Sequence, residues 1–118
     1  MGHVYVKAIL SNPFVDGLVA EAEALVDTGA TFSVVPRSLA ESLQLPITGR
    51  RRVRTATGEI EVDRGTALIQ LNGQRELSPV LISDTVEKVL IGVMTLEALA
   101  LSVDPTTGEL NEAELLLY

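Results

Sequence analysis

The sequence predicts an all-β protein, a barrel or a sandwich with two short helices, and three observations lead there. Short segments of alternating apolar and polar residues recur along the chain, turn signals separate them at close intervals, and the apolar residues are mainly Val, Leu, Ile and Ala. With 118 residues, 47% of them hydrophobic, the chain has material for one modest core, so a single domain over residues 1–118 is expected.

His3 to Leu10 sets Val4, Val6, Ala8 and Leu10 against His3, Tyr5 and Lys7, the pattern of a half-buried strand. Asn12-Pro13 and Asp16-Gly17 mark the turn that follows. Val19 to Val26 alternates again, with Glu21 and Glu23 on one face and Ala20, Ala22, Ala24 and Val26 on the other. That strand runs straight into Asp27-Thr28-Gly29-Ala30. Pro36 suits the first turn of a brief helix with Leu39 and Leu43 one turn apart, and Pro46 follows its end.

Val53 to Val62 reads as a hairpin about Thr57-Gly58. Any register that keeps Val53 on the face of Ile60 and Val62 sets Arg50, Arg52 and Arg54 opposite Glu59, Glu61 and Asp63. A second hairpin joins Ala67–Leu71 to Gln74–Ile82 through Asn72-Gly73, a type I′ signal, and Pro79 implies an edge or a bend. Val89-Leu90-Ile91-Gly92 is a buried-looking run that opens a helix with Leu96, Leu99 and Ala100 on one face. A last hairpin turns at Asp104-Pro105-Thr106-Thr107-Gly108, and the chain ends in Leu115-Leu116-Leu117-Tyr118, whose apolar character suits an interface strand.

Composition narrows the function classes. A net charge of −7 argues against a phosphate-tracking surface, and 3% aromatic residues leave few platforms for stacking bases, so no nucleic-acid partner is expected. No run approaches the roughly 20 apolar residues of a membrane span. Zero cysteines exclude disulfides and thiolate catalysis and point to a cytoplasmic address. His3 is the one histidine, and an incidental role is expected for it. Glu21, Glu23, Glu112 and Glu114 read as solvated faces rather than metal ligands, so neither metal nor cofactor is expected.

Chemistry concentrates in Ala24-Leu25-Val26-Asp27-Thr28-Gly29-Ala30-Thr31. An aspartate closing an apolar strand is partly desolvated, which raises the cost of its charge. Thr28 offers a hydroxyl to anchor the turn, and Gly29 lets the backbone bend. Taken alone, Asp-Thr-Gly is also an ordinary turn sequence.

Its company decides between the two. An apolar strand entering Asp-Thr-Gly-Ala, a hairpin at Thr55-Ala56-Thr57-Gly58, and Leu90-Ile91-Gly92 opening a helix stand in the order and spacing of the retropepsin-like aspartic proteases, which the chain resembles over most of residues 4 to 104. That resemblance implies a closed β-barrel with a flap hairpin and one or two short helices, assembled as a two-fold homodimer that hydrolyses peptide bonds. It makes Asp27 the catalytic carboxylate, Thr28 the dimer lock, and Gly29 and Ala30 the rest of the active-site loop. Ala56, Thr57 and Gly58 become the flap tip over a bound peptide. Phe32 and Leu90 fall where the family lines specificity pockets, and plain core is an equal reading for Leu90. With one Asp-Thr-Gly-Ala in the chain, two protomers have to meet to form a carboxylate pair. The alternative is a catalytically weak or inactive dimerisation or peptide-binding module on the same fold. Thr31 and Phe32 replace two aspartates of the retroviral members, and Val93 replaces an arginine. One of those aspartates pairs with that arginine, so their joint loss leaves no buried charge unpaired.

Overall fold

The computed structural model describes residues 4–114. Strand β1 (Val4–Ser11) pairs antiparallel with β2 (Val19–Val26), Val4 opposite Val26 and Ser11 opposite Val19. Their shared inner face buries Ala8, Leu10, Ala24 and Val26, while Lys7 and Lys88 pair with the exposed Glu21 and Glu23. The turn between them is held by Asn12. Its Oδ1 accepts the N–H groups of Phe14 and Val15, and its Nδ2 donates to the carbonyls of Leu43 and Gln44.

A strand not foreseen in the sequence, β3 (Ser33–Pro36), leads into helix α1 (Arg37–Ser42). Pro36 stands one residue before the helix rather than inside its first turn, with extended ψ of 145°. Strands β4 (Ile47–Thr55), β5 (Gly58–Leu71) and β6 (Gln74–Ser83) follow. The two expected hairpins therefore share one long middle strand. The first arm is also longer than expected, because cross-strand pairing continues through Arg50–Asp63 and Gly49–Arg64. At the second turn Asn72 and Gly73 both take positive φ, 51° and 78°, as a type I′ turn requires. Pro79 lies opposite Thr66 of β5, and on its other side pairing to β3 begins only at Val80, so its missing N–H breaks no ladder bond.

Strand β7 (Val89–Ile91) runs parallel to β2, then Gly92 opens helix α2 (Val93–Ala98). Leu96 and Leu99 enter the core, whereas Ala100 takes φ +55° and turns the chain into β8 (Leu101–Val103), which pairs with β9 (Leu110–Glu112). The strand order β1-β2-β7-β3-β6-β5 closes on itself through Leu10 opposite Ile69, giving a barrel, and β4 extends the sheet beyond β5. Its interior is filled by Leu10, Val35, Ile69, Leu71, Ile82, Ile91 and Leu99. Aliphatic burial of this kind contributes on the order of 1.5–3 kcal/mol per large side chain. His3 and the apolar tail 115–118 lie outside the described residues.

Candidate active site

Asp27 is placed by the parallel pairing of β2 with β7. Its N–H donates to the carbonyl of Ile91 at 2.9 Å, continuing the ladder one residue past Val26. A tight turn follows. The Gly29 N–H donates to Asp27 Oδ1 at 2.9 Å, and the Ala30 N–H donates to the Asp27 carbonyl at 3.1 Å. The turn is thus anchored by Asp27 itself, not by the Thr28 hydroxyl, which makes no hydrogen bond among the described residues. Asp27, Thr28 and Gly29 are exposed and Ala30 is half-buried. The expected desolvation of Asp27 is therefore absent in the single chain, because the turn lifts the carboxylate clear of the apolar strand. Any water-excluding cover has to come from outside this loop.

The loop is seated on α2. The carbonyls of Ala30 and Thr31 accept the N–H groups of Val93 and Met94 at 2.8 and 3.0 Å. Gly92 makes this docking possible: a Cβ there would lie 2.6 Å from the carbonyl carbon and oxygen of Phe32 and 2.9 Å from that of Ala30. Behind the loop, the Gly92 N–H donates to Ser33 Oγ, Ser33 bonds Thr95, and Thr95 bonds Ser78 at 2.8 Å. All three hydroxyl residues are buried. Sequence reasoning missed this chain, whose one visible trace was hydroxyl residues set among apolar ones, as in Phe32-Ser33-Val34 and Met94-Thr95-Leu96.

Leu90 lies outside the core. Val89 and Ile91 point inward, so period two turns Leu90 to the other face, where it is half-buried. Leu25 pairs with it from β2 and Val34 from β3. Leu25 is in step with Asp27, so these three aliphatic side chains form a ledge on the carboxylate's side of the sheet. Phe32 is half-buried, its backbone pressed against Gly92. A cavity of about 770 Å³ opens on the far side of the loop, lined by Val4, Val26, Asp27, Thr28 and the turn from Val103 to Gly108.

The flap-like arm is β4–β5. Its turn is Ala56-Thr57, one residue earlier than expected, and Gly58 follows it with φ +137°. Thr55 Oγ1 accepts the Thr57 N–H and donates to the Gly58 carbonyl. All three tip residues are exposed, and among the described residues no hydrogen bond joins them to the Asp27 loop. The arm's root is held by charge: Asp63 accepts from Arg37 at 2.8 Å and from Arg50 at 2.9 Å. Arg37 also donates to Asp84 at 2.8 Å. Its guanidinium is held well above its ordinary pKa by the hydrogen bonds it donates to Asp84 and Asp63, and Asp84 is held below the usual carboxylate range chiefly by Arg37. Among the described residues no group of three or more His, Cys, Asp or Glu could hold a metal ion.

Residues 14–95 match the family model described as aspartyl protease. The structure titled EIAV protease complexed with the inhibitor HBY-793 superposes with a TM-score of 0.69 at 17% identity, covering 98% of this chain and 94% of that one. The solution structure of simian foamy virus (mac) protease gives 0.60 at 20% identity, over 79% of this chain and 91% of that one. No curated protein sequence matches the chain. The family model spans the Asp27 loop, the β4–β5 arm and the start of α2, and the chain belongs to the retropepsin-like family of aspartyl proteases.

Proposed function

We propose that the protein is an aspartic endopeptidase that acts as a homodimer, with Asp27 of each subunit in one site. The observation that carries this reading is the state of the 27–30 loop. It is rigidly hydrogen-bonded, yet it presents an exposed carboxylate and an unengaged Thr28 hydroxyl beside an open cavity. A second copy brought up along a two-fold axis would place Asp27 against Asp27 and give Thr28 a partner. Two carboxylates a few ångströms apart cannot both ionise. One keeps its proton and polarises the scissile carbonyl, while the other takes a proton from the attacking water. Gly29 offers backbone to the peptide, the Leu25, Leu90 and Val34 ledge with Phe32 takes its side chains, and Ala56-Thr57-Gly58 closes over it.

A peptide-library cleavage assay of wild type and Asp27→Asn, at acidic and neutral pH, tests this. The variant is expected to fold normally and cut nothing, because an amide cannot share the proton. Equal turnover by both proteins sinks the enzymatic reading, and binding without turnover by wild type favours an inactive peptide-binding module.

A further inference from the structure

The ledge beside Asp27 does not end at Val34. Val34 pairs with Leu81 of β6, and Leu81 pairs with Arg64 of β5, so one row of side chains crosses the sheet as Leu25, Leu90, Val34, Leu81, Arg64. Paired residues share a face, and every member lies opposite to the core-facing set. Arg64 is also in step with Val62 and Ile60, the apolar side of the flap-like arm. It therefore stands in the corner where the arm meets the ledge.

The guanidinium in that corner is unemployed. Arg64 is half-buried, its Nε is fully screened from solvent, and that nitrogen has no hydrogen-bond partner. Its carbonyl accepts from the Thr48 hydroxyl, but its side chain enters no ion pair among the described residues. An unmet buried N–H costs on the order of 1–3 kcal/mol, and a carboxylate brought to the other nitrogens of the guanidinium would offset part of that cost. The contrast with the arm's other face is sharp in kind. There Arg50 and Arg54 are matched by Glu59, Glu61 and Asp63. On the face of Arg64, β4 and β5 carry Arg51, diagonal to Arg64 through the Arg51–Val62 and Gly49–Arg64 pairs, and no acid at all. Two arginines thus share an apolar face of the arm in a chain whose net charge is −7.

We propose that this corner is a subsite for an acidic side chain of the peptide substrate, with Arg64 as the recognising cation and Arg51 adding to its field. The inference rests on the endopeptidase reading for its site of action. Strands are about 4.8 Å apart and an extended peptide advances about 3.3 Å per residue, so a side chain reaching back roughly 6 Å from Arg64 meets about the third or fourth residue from the bond at Asp27. A carboxylate there gains a charge-assisted, partly desolvated hydrogen bond, which the fork geometry of arginine favours.

The test uses peptides that carry Glu or Gln at the third and fourth residues on each side of the cleaved bond. Wild type is expected to prefer Glu by about tenfold in kcat/KM, expressed in KM, which corresponds to about 1.4 kcal/mol. Arg64→Gln should bring the Glu-to-Gln ratio to about one, Arg64→Lys should keep part of it, and circular dichroism verifies that each variant folds. A wild-type ratio near one, or a ratio that survives Arg64→Gln, overturns the subsite. Fluorescence anisotropy of the same peptides on Asp27→Asn separates this from the chemistry. If no peptide is cut, the endopeptidase reading fails by itself, and tighter binding of the Glu peptides still upholds the subsite while equal or absent binding overturns it.

Discussion

The guanidinium of Arg37, the first residue of α1, donates to the carboxylate of Asp63 at 2.8 Å, tying the root of the flap-like arm to the barrel. Asp63 is the better shielded partner, with 18% of its side chain exposed against 32% for Arg37. It also receives Arg50 from the neighbouring strand, so it fixes the arm's angle and its pairing together.

Asp63→Asn is accordingly expected to lower stability by only about 1 kcal/mol, since partly exposed ion pairs contribute little. Its larger effect should fall on activity, through a loosened arm. Parallel thermal melts and peptide-cleavage rates check this, and a variant that loses stability but keeps its rate would show that the arm's root is not part of closure.

Asp84 supplies a pH dependence. Its folded-state pKa is depressed by the hydrogen bond from Arg37, so the stability it contributes is present above its unfolded pKa of about 3.9 and is lost as pH falls through the folded value. Melting temperatures of wild type should fall below about pH 4 more steeply than those of Asp84→Asn. Coincident curves would mean that the Arg37–Asp84 pair holds nothing in solution.

Gly92→Ala places a methyl group 2.6 Å from the Phe32 carbonyl, against backbone that cannot swing aside as a side chain could. A loss of about 2–4 kcal/mol is expected, with disruption of the Asp27 loop that hangs on the same contact. Denaturant melts measure the first effect and cleavage the second. Thr95→Val, which keeps the shape but removes the hydroxyl between Ser33 and Ser78, should cost about 1–3 kcal/mol by leaving buried oxygens short of a partner.

Gly58 differs from Gly92 in that a Cβ there meets nothing within 4 Å. Its constraint is the backbone, at φ +137°, a region closed to β-branched residues. Gly58→Val should therefore distort the tip, lowering turnover well beyond any change in melting temperature. Unchanged kinetics would remove the Ala56-Thr57-Gly58 turn from the list of substrate-binding elements.

Much of this was legible because it is local. Period-two alternation marks β1 and β2, Asn72-Gly73 fixes one hairpin, and in the other Val53 shares a face with Ile60 and Val62 as anticipated, while the turn one residue earlier sets it opposite Ile60. Strand β3 escaped notice because four residues carry too little periodicity and Pro36 draws attention to the helix beyond it. The ledge escaped because Leu25, Leu90 and Val34 become neighbours only through a parallel and an antiparallel pairing that no short-range pattern encodes. The exposure of Asp27 ran against the expected desolvation for a related reason. An apolar strand predicts burial for its own residues, not for the first residue of the turn that leaves it.

That exposure leads to the last prediction, that activity depends on association. The proposed chemistry needs two carboxylates that share one proton, one to polarise the carbonyl and one to take a proton from water, and a lone exposed carboxylate has no mate to share it with. The chain supplies one such group in an Asp-Thr-Gly setting, so a single subunit lacks half of the required pair. Specific activity should therefore fall on dilution below the dimer dissociation constant, in step with the sedimentation coefficient. Thr28→Val should shift that transition to higher concentration, because its hydroxyl has no bond to lose within the subunit and its effect has to arise between subunits. Thr28→Val melting like wild type while dissociating more readily would assign the hydroxyl to the interface. A monomer with full specific activity at every concentration would refute the two-Asp27 mechanism outright.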